Sequence, residues 1–335
     1  MHTSEEVVLD VEGLRMRYGS TDVLHDVNFQ VRQGEVMCLL GPNGAGKSTT
    51  IEVMEGFRAR SAGRVEVLGT DPEHGDERWR ARVGVVLQSW RDHGRWYVRE
   101  LLAHLGSYYA AYSTDTIKRP WDPDELVASV GLTEHAHKKV RMLSGGQRRR
   151  LDVAVGIAGR PELLFLDEPT AGLDPVARRE FHELVGRLAH EQETTILLTT
   201  HDLQEAEKLA DRIMILDGGR IIGDGTAKEL AQSIAGEDTV RWTRQGRQNE
   251  QSTADSTKFV FDLFKKYGEE IADLEVRRAS LEDTYLTMVR KAESGENKEQ
   301  GQEQEQESDG APDTAAGPAS TTAGEAAAAN EGAAR

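Results

Sequence analysis

The sequence predicts an α/β fold centred on a mainly parallel sheet, and three observations lead there. From about residue 5 to residue 234, short β-branched runs alternate with longer helical patterns. One apolar run, Glu35–Leu40, feeds directly into a glycine-rich turn and then a helical stretch. Two N-terminal runs, Val7–Val11 and Val27–Val31, have no long helix between them and read as an antiparallel β flank.

After Glu35–Leu40, the expected strands of the parallel core are Val83–Leu87, Leu163–Asp167, Thr195–Thr199 and Arg212–Leu216. Residues 235–291 predict a small α+β accessory domain. Thr239–Thr243 and Ile271–Arg277 are its strands, and Phe259, Leu263 and Phe264 give Ser256–Tyr267 helical spacing. Ser280–Lys291 is the closing helix, with Ser280 and Asp283 as a capping-box-like start. Residues 292–335 are low complexity, Glu/Gln alternation followed by Ala, Gly and Thr, with too little apolar surface to offset ordering entropy; disorder is expected.

Composition excludes several classes. No run approaches the roughly 18 apolar residues of a membrane-spanning helix, and the opening MHTSEEVVLD lacks the basic and apolar regions of a secretory signal. Net charge is −17, which argues against broad nucleic-acid affinity. Residues 292–335 hold ten acidic and two basic side chains, about half of that excess, so the folded part is only moderately acidic. Cys38, the single cysteine, sits in the apolar run Val36–Leu40 and is expected to be a buried, inert thiol.

The glycine-rich turn carries the first chemistry. Gly41, Pro42, Asn43, Gly44, Ala45, Gly46, Lys47, Ser48 and Thr49 match G-x-x-x-x-G-K-[ST] between a strand and a helix. Glycines let successive N–H groups converge on a phosphate, and the following helix points its positive end at the same oxygens. Lys47 is placed for the β- and γ-phosphates of ATP, and the Ser48 hydroxyl for Mg²⁺. The run Leu163–Leu166 ends in Asp167 and Glu168, putting two carboxylates at the edge of the sheet where ligands collect. Asp167 is expected in the Mg²⁺ shell, and Glu168 as the general base that polarises the attacking water.

Leu143, Ser144, Gly145, Gly146 and Gln147, followed by Arg148–Arg150, resemble the signature motif of ABC-transporter ATPases. A serine hydroxyl and glycine amides at a helix start can hold an anion, although a plain N-cap has the same sequence. Other positions fall in the order that family requires, over residues 7–234. Tyr18 matches the aromatic that stacks on adenine, and Gln88 the glutamine that touches Mg²⁺ and senses the membrane partner. Asp174, in Ala171–Asp174, matches the loop that couples two sites across a dimer, and His201 the switch histidine that bonds the γ-phosphate.

The resemblance implies a P-loop NTPase of ABC type, with a helical subdomain at about residues 89–160 inside the ATP-binding domain of residues 5–234. It further implies a head-to-tail homodimer, or a pseudo-dimer with a similar ATPase subunit, with ATP sandwiched between the phosphate loop of one copy and Ser144–Gln147 of the other. A separate integral-membrane permease is implied, docked on the helical subdomain, with this chain cytoplasmic and peripheral to the membrane's inner face. Trp90, Trp96, Tyr97, Tyr108 and Tyr109 make that subdomain aromatic-rich, and Tyr97 stands where relatives often carry a small polar residue. Ile271–Tyr285 is similar to the end of bacterial multidrug and antibiotic exporter ATPases of the daunorubicin-resistance type. A nutrient-importer ATPase and a soluble ABC-fold ATPase of translation or DNA repair are the alternatives.

Overall fold

The computed structural model describes residues 6–86, 93–192, 194–235, 238–253 and 255–277, together with Glu282, Tyr285 and Val289. Strands β1 (Val7–Tyr18) and β2 (Thr21–Arg32) form a hairpin, and β4 (Ala62–Val67) pairs with the other side of β1, making an antiparallel sheet of order β2-β1-β4. The flank is therefore wider than the two short runs the sequence suggested. Alternation is the reason: along β1, Leu9, Val11, Leu14 and Met16 are buried while polar neighbours face out, so only its first half reads as a continuous apolar run.

The central sheet has the order β5-β6-β7-β3-β8-β9. Its strands are β3 (Val36–Leu40), β5 (Val83–Val86), β6 (Leu163–Leu166), β7 (Thr195–Thr200), β8 (Arg212–Asp217) and β9 (Arg220–Gly225). The first five are parallel, and β9 returns antiparallel from β8 through Gly218 and Gly219 to form the edge. Every residue of β3, β6 and β7 is buried, as expected for parallel strands covered on both faces. Helices α1 (Lys47–Met54), α2 (Glu77–Arg80), α6 (Pro175–Gln192) and α7 (Leu203–Leu209) lie between these strands along the chain, and α8 (Ala227–Ala235) follows β9. Cys38 is fully buried, and burial pushes its thiol well above the ordinary value, which agrees with an inert side chain.

Between β5 and β6 lie α3 (Val98–Ser107), α4 (Pro123–Ser129) and α5 (Gly145–Ile157). Val98, Leu101, Leu102, Leu126, Val127 and Leu151 join the core under one face of the central sheet. Of the aromatics, Trp96, Tyr97 and Tyr108 are exposed, whereas Tyr109 packs against the core and touches Gly159 closely enough to leave no room for a Cβ. Trp90 lies outside the described residues.

A third sheet, of order β11-β10-β12, comprises β10 (Asp238–Arg244), β11 (Arg247–Thr253) and β12 (Ile271–Arg277). Helix α9 (Ser256–Tyr267) covers it, and Val240, Trp242 and Leu263 form a small core of their own. Strand β11, Arg-Gln-Asn-Glu-Gln-Ser-Thr, is polar throughout and exposed for all but its last residue, so no apolar pattern announces it. Of the expected closing helix, the described residues Glu282, Tyr285 and Val289 are helical. Residues 292–335 lie outside the described residues.

Candidate functional site

The phosphate loop runs from the end of β3 into α1. Gly41 takes its turn against β8: a Cβ there would lie 2.2 Å from the Leu216 carbonyl oxygen, which excludes any side chain. Gly46 has φ +103° at the N-cap of α1, and its added Cβ would meet a Leu24 methyl at 2.6 Å. Gly44, with φ +86°, faces open space instead, as a backbone approached by a ligand should. Inside the loop the Lys47 ammonium donates to its own carbonyls, Gly41 O at 2.8 Å and Pro42 O at 3.0 Å, and lies 3.5 Å from Glu168 Oε1.

Sheet order brings the second half of the site alongside. Strand β7 lies between β6 and β3, in register with both. The Gly41 N–H donates to the Thr200 carbonyl at 3.2 Å, tying the loop to β7. On its other side, the Thr199 hydroxyl donates to Asp167 Oδ1 at 2.6 Å and accepts the Glu168 N–H at 2.9 Å. The Ser48 hydroxyl reaches the same Asp167 oxygen at 3.3 Å. Glu168 adopts a left-handed backbone, φ +41°, uncommon for a residue with a Cβ, and its Oε1 lies 3.5 Å from His201 Nδ1. Of the residues expected to act together, Lys47, Glu168 and His201 are thus in direct contact, as are Ser48 and Asp167, and the Thr199 hydroxyl links the two groups.

Ser48 and Asp167 offer a hydroxyl and a carboxylate, hard oxygen donors of the kind Mg²⁺ selects. Among the described residues no three His, Cys, Asp or Glu side chains form a metal cage. Two protein oxygens suit an ion that completes its shell with water and substrate phosphates.

Three residues of the site were not anticipated. Thr199 orients both carboxylate residues; its role follows from β6–β7 register, which spacing alone does not reveal. Buried Arg149, on α5, donates from Nε to the Pro169 carbonyl at 2.7 Å and from a terminal nitrogen to the Asp167 carbonyl at 3.3 Å. Burial pulls its guanidinium below the ordinary value, opposed by the charges of Asp152, Asp167 and Glu205. It links the Ser144–Gln147 helix to the carboxylate turn.

Glu55, at the end of α1, is the third. Burial, reinforced by the negative charges of Asp167 and Glu52, raises its carboxyl from 4.5 to about 8. A carboxyl raised in the folded state keeps its proton there while the unfolded chain has lost it. Stability therefore falls as pH rises between those two values. Glu55→Gln, which carries no charge to bury, is expected to exceed the parent by roughly 1–3 kcal/mol above about pH 8. The gain should shrink towards about pH 5; thermal melts across that range check this, and a pH-independent difference would contradict it.

The remaining expected residues fall as follows. Ser144 caps α5 in a capping box: its Oγ accepts the Gln147 N–H at 3.3 Å, and the Gln147 side chain accepts the Ser144 N–H at 3.1 Å. Leu143 packs against the core, and Gly146 lies so close to Ala177 of α6 that a Cβ would sit 2.7 Å from that methyl. Asp174 caps α6 by accepting the N–H groups of Val176 and Ala177, both at 3.0 Å. Tyr18 ends β1 with its ring partly exposed and the Arg58 guanidinium 5.0 Å above it. Gln88 lies outside the described residues.

A phosphate loop after β3, with a histidine after the adjacent parallel strand β7 and an Asp-Glu pair after the next one, β6, defines a P-loop nucleoside triphosphatase. Comparison with known proteins narrows the class. The profile of the ABC transporter family matches residues 24–171. The chain is 42% identical over 234 residues to the Nod factor export ATP-binding protein I of Ralstonia nicotianae, covering 70% of this chain and 71% of that one. It is 39% identical to the daunorubicin resistance ATP-binding protein DrrA3 of Streptomyces coeruleorubidus, with 69% and 72% covered. With the linearmycin resistance ATP-binding protein LnrL of Bacillus subtilis, identity is 34% and coverage 71% and 76%. Among solved structures, cbiO1 of Clostridium perfringens, part of the transporter complex cbiONQ, superposes with TM-score 0.58 at 28% identity, covering 68% of this chain and 92% of that one.

The chain belongs to the ABC transporter family as an ATP-binding subunit, and it is an ATPase. Its relatives include ATP-binding proteins named for daunorubicin and linearmycin resistance. No described helix is long and apolar enough to cross a membrane.

Proposed function

We propose that this subunit energises export of drugs, antibiotics or other hydrophobic compounds through a separate membrane permease, by closing as a head-to-tail dimer around ATP. The observation that carries the reading is the set of contacts that, through the Thr199 hydroxyl, brings Lys47, Ser48, Asp167, Glu168 and His201 together. Relatives named for Nod factor export and for daunorubicin and linearmycin resistance support the outward direction. The similarity of Ile271–Tyr285 to the end of such exporters supports it too, and we read residues 235–291 as their accessory domain.

The chemistry follows from the residues. Arriving β- and γ-phosphates draw the Lys47 ammonium off the Gly41 and Pro42 carbonyls, while loop N–H groups take the phosphate oxygens. Ser48, Asp167 and Gln88 would hold Mg²⁺, which when bound offsets phosphate charge and orients the γ-phosphoryl group. Glu168, held by Thr199, accepts a proton from the attacking water, and His201 donates to the γ-phosphate. Tyr18 exchanges Arg58 for the adenine ring. In the second copy, the Ser144 cap uses its hydroxyl as acceptor, so that hydroxyl's proton can donate to the γ-phosphate across the dimer. Asp174 sits where the two sites would exchange information.

Exposed Trp96, Tyr97 and Tyr108 support a docking surface for the permease on the helical subdomain. The test is recovery of the tagged chain from membranes, followed by transport in inverted vesicles. A multi-helix membrane protein should co-purify, and ATP should drive a lipophilic drug or dye into those vesicles. Uptake only in right-side-out vesicles would support an importer instead, and no membrane partner would support a soluble ATPase.

A further inference from the structure

Behind the switch histidine lies a group of buried polar residues that the catalytic scheme leaves unused. Glu205, on α7, is 2% exposed, and one of its carboxylate oxygens accepts the Thr200 hydroxyl at 2.6 Å. Its other oxygen lies 3.5 Å from Nε2 of His182, which α6 supplies and which is 8% exposed. Among the described residues, neither nitrogen of His182 nor that second oxygen has a hydrogen-bond partner. The Thr200 oxygen in turn accepts the Asp202 N–H at 3.0 Å, and Asp202 caps α7 through the N–H groups of Gln204 and Glu205. The other Asp202 oxygen takes the Arg178 guanidinium at 2.8 Å.

The residues on either side of His201 are therefore each fixed by side chains, and α6 contributes to both arrangements. Arg178 and His182 are one helical turn apart on that helix, so they share a face. The same helix begins at Asp174 and packs on α5 at Gly146. The Asp202 cap stabilises α7, but fold stability gives no reason to bury Glu205 against His182. Apolar residues of similar volume in place of a buried ion pair are often neutral or stabilising, and a buried polar atom without a partner is unfavourable.

We propose that Glu205, His182 and Arg178 are positioning residues for the switch histidine, holding Thr200 and Asp202 so that the His201 imidazole stays directed at Glu168. Helix α6 thereby ties the orientation of His201 to the position of Asp174 and of the Ser144–Gln147 helix. This rests on His201 being the γ-phosphate contact.

The test compares steady-state hydrolysis of Mg-ATP, ATP affinity by calorimetry and melting temperature in the full chain. Thr200→Val removes the hydroxyl that joins Glu205 to the Asp202 N–H, and Glu205→Leu the carboxylate that holds it. Each leaves a buried partner unpaired, so the melting temperature should fall by a few degrees. Read well below that melting point, kcat should fall about tenfold while ATP Kd stays within about twofold. Glu205→Gln keeps an acceptor for Thr200 and should retain at least about half the parental kcat. The double variant Thr200→Val/Glu205→Leu should lose no more than either single change, as members of one relay do.

Unchanged kcat in Thr200→Val would overturn the proposal, as would a Gln variant no better than Leu, or Kd weakening in step with kcat. Should Glu205→Leu fail to fold, Thr200→Val still decides. His201→Ala separates the two levels. If it retains parental turnover, the reading of His201 itself fails. If it is inactive while the relay variants are fully active, only the positioning role fails.

Discussion

Glu168→Gln leaves ATP binding intact, lowers turnover by roughly 10²–10⁴-fold and accumulates an ATP-bound dimer. The substitution keeps the shape of a side chain that sits 3.5 Å from both Lys47 and His201. What it removes is the capacity to take a proton from water. It also deletes a negative charge beside the phosphate seat, so affinity for the anionic nucleotide should hold or tighten. Light scattering with and without ATP measures the dimer, and phosphate release measures turnover. Parental turnover would dismiss Glu168 as the base, and a monomer in saturating ATP would count against closure as a dimer.

Ser144→Arg is the complementary experiment, because Ser144 touches none of the catalytic contacts of its own chain. Ser144 is joined instead to Gln147 in the cap of α5. The bulky cation fills the surface on which the second copy's γ-phosphate would rest and breaks the capping box, at a local cost of about 1 kcal/mol. ATP should bind the monomer within about twofold of parental affinity while hydrolysis falls by at least about tenfold. Combined with Glu168→Gln, it should abolish the trapped dimer. A fully active Ser144→Arg would leave the catalytic site complete within a single chain.

The sequence disclosed the motif-bearing strands because burial on both faces makes β3 and β6 wholly apolar and β7 β-branched or apolar throughout, and each is followed by a residue of distinctive chemistry. Strands β4, β9 and β11 escaped notice for the opposite reason. Half-exposed or polar edge strands carry little periodic signal, and hairpin partners define them more than composition does. Within the site, Lys47, Ser48, Asp167 and Glu168 were legible from motif spacing, and His201 from the family resemblance. Thr199, Arg149 and Glu55 were not, since each depends on which strand or helix lies beside it. Gln88 falls outside the described residues, so its part in the site rests on family resemblance alone.

Lys47 donating to the Gly41 and Pro42 carbonyls bears on which ligands the loop selects. A phosphate gains the ammonium only by offering more than two carbonyl oxygens tethered a few residues away in the same loop. A lone small anion offers little beyond that, whereas a chain of phosphates also meets the loop N–H groups and the start of α1. Discrimination by the number of phosphates is thus a property of the loop's own internal hydrogen bonds.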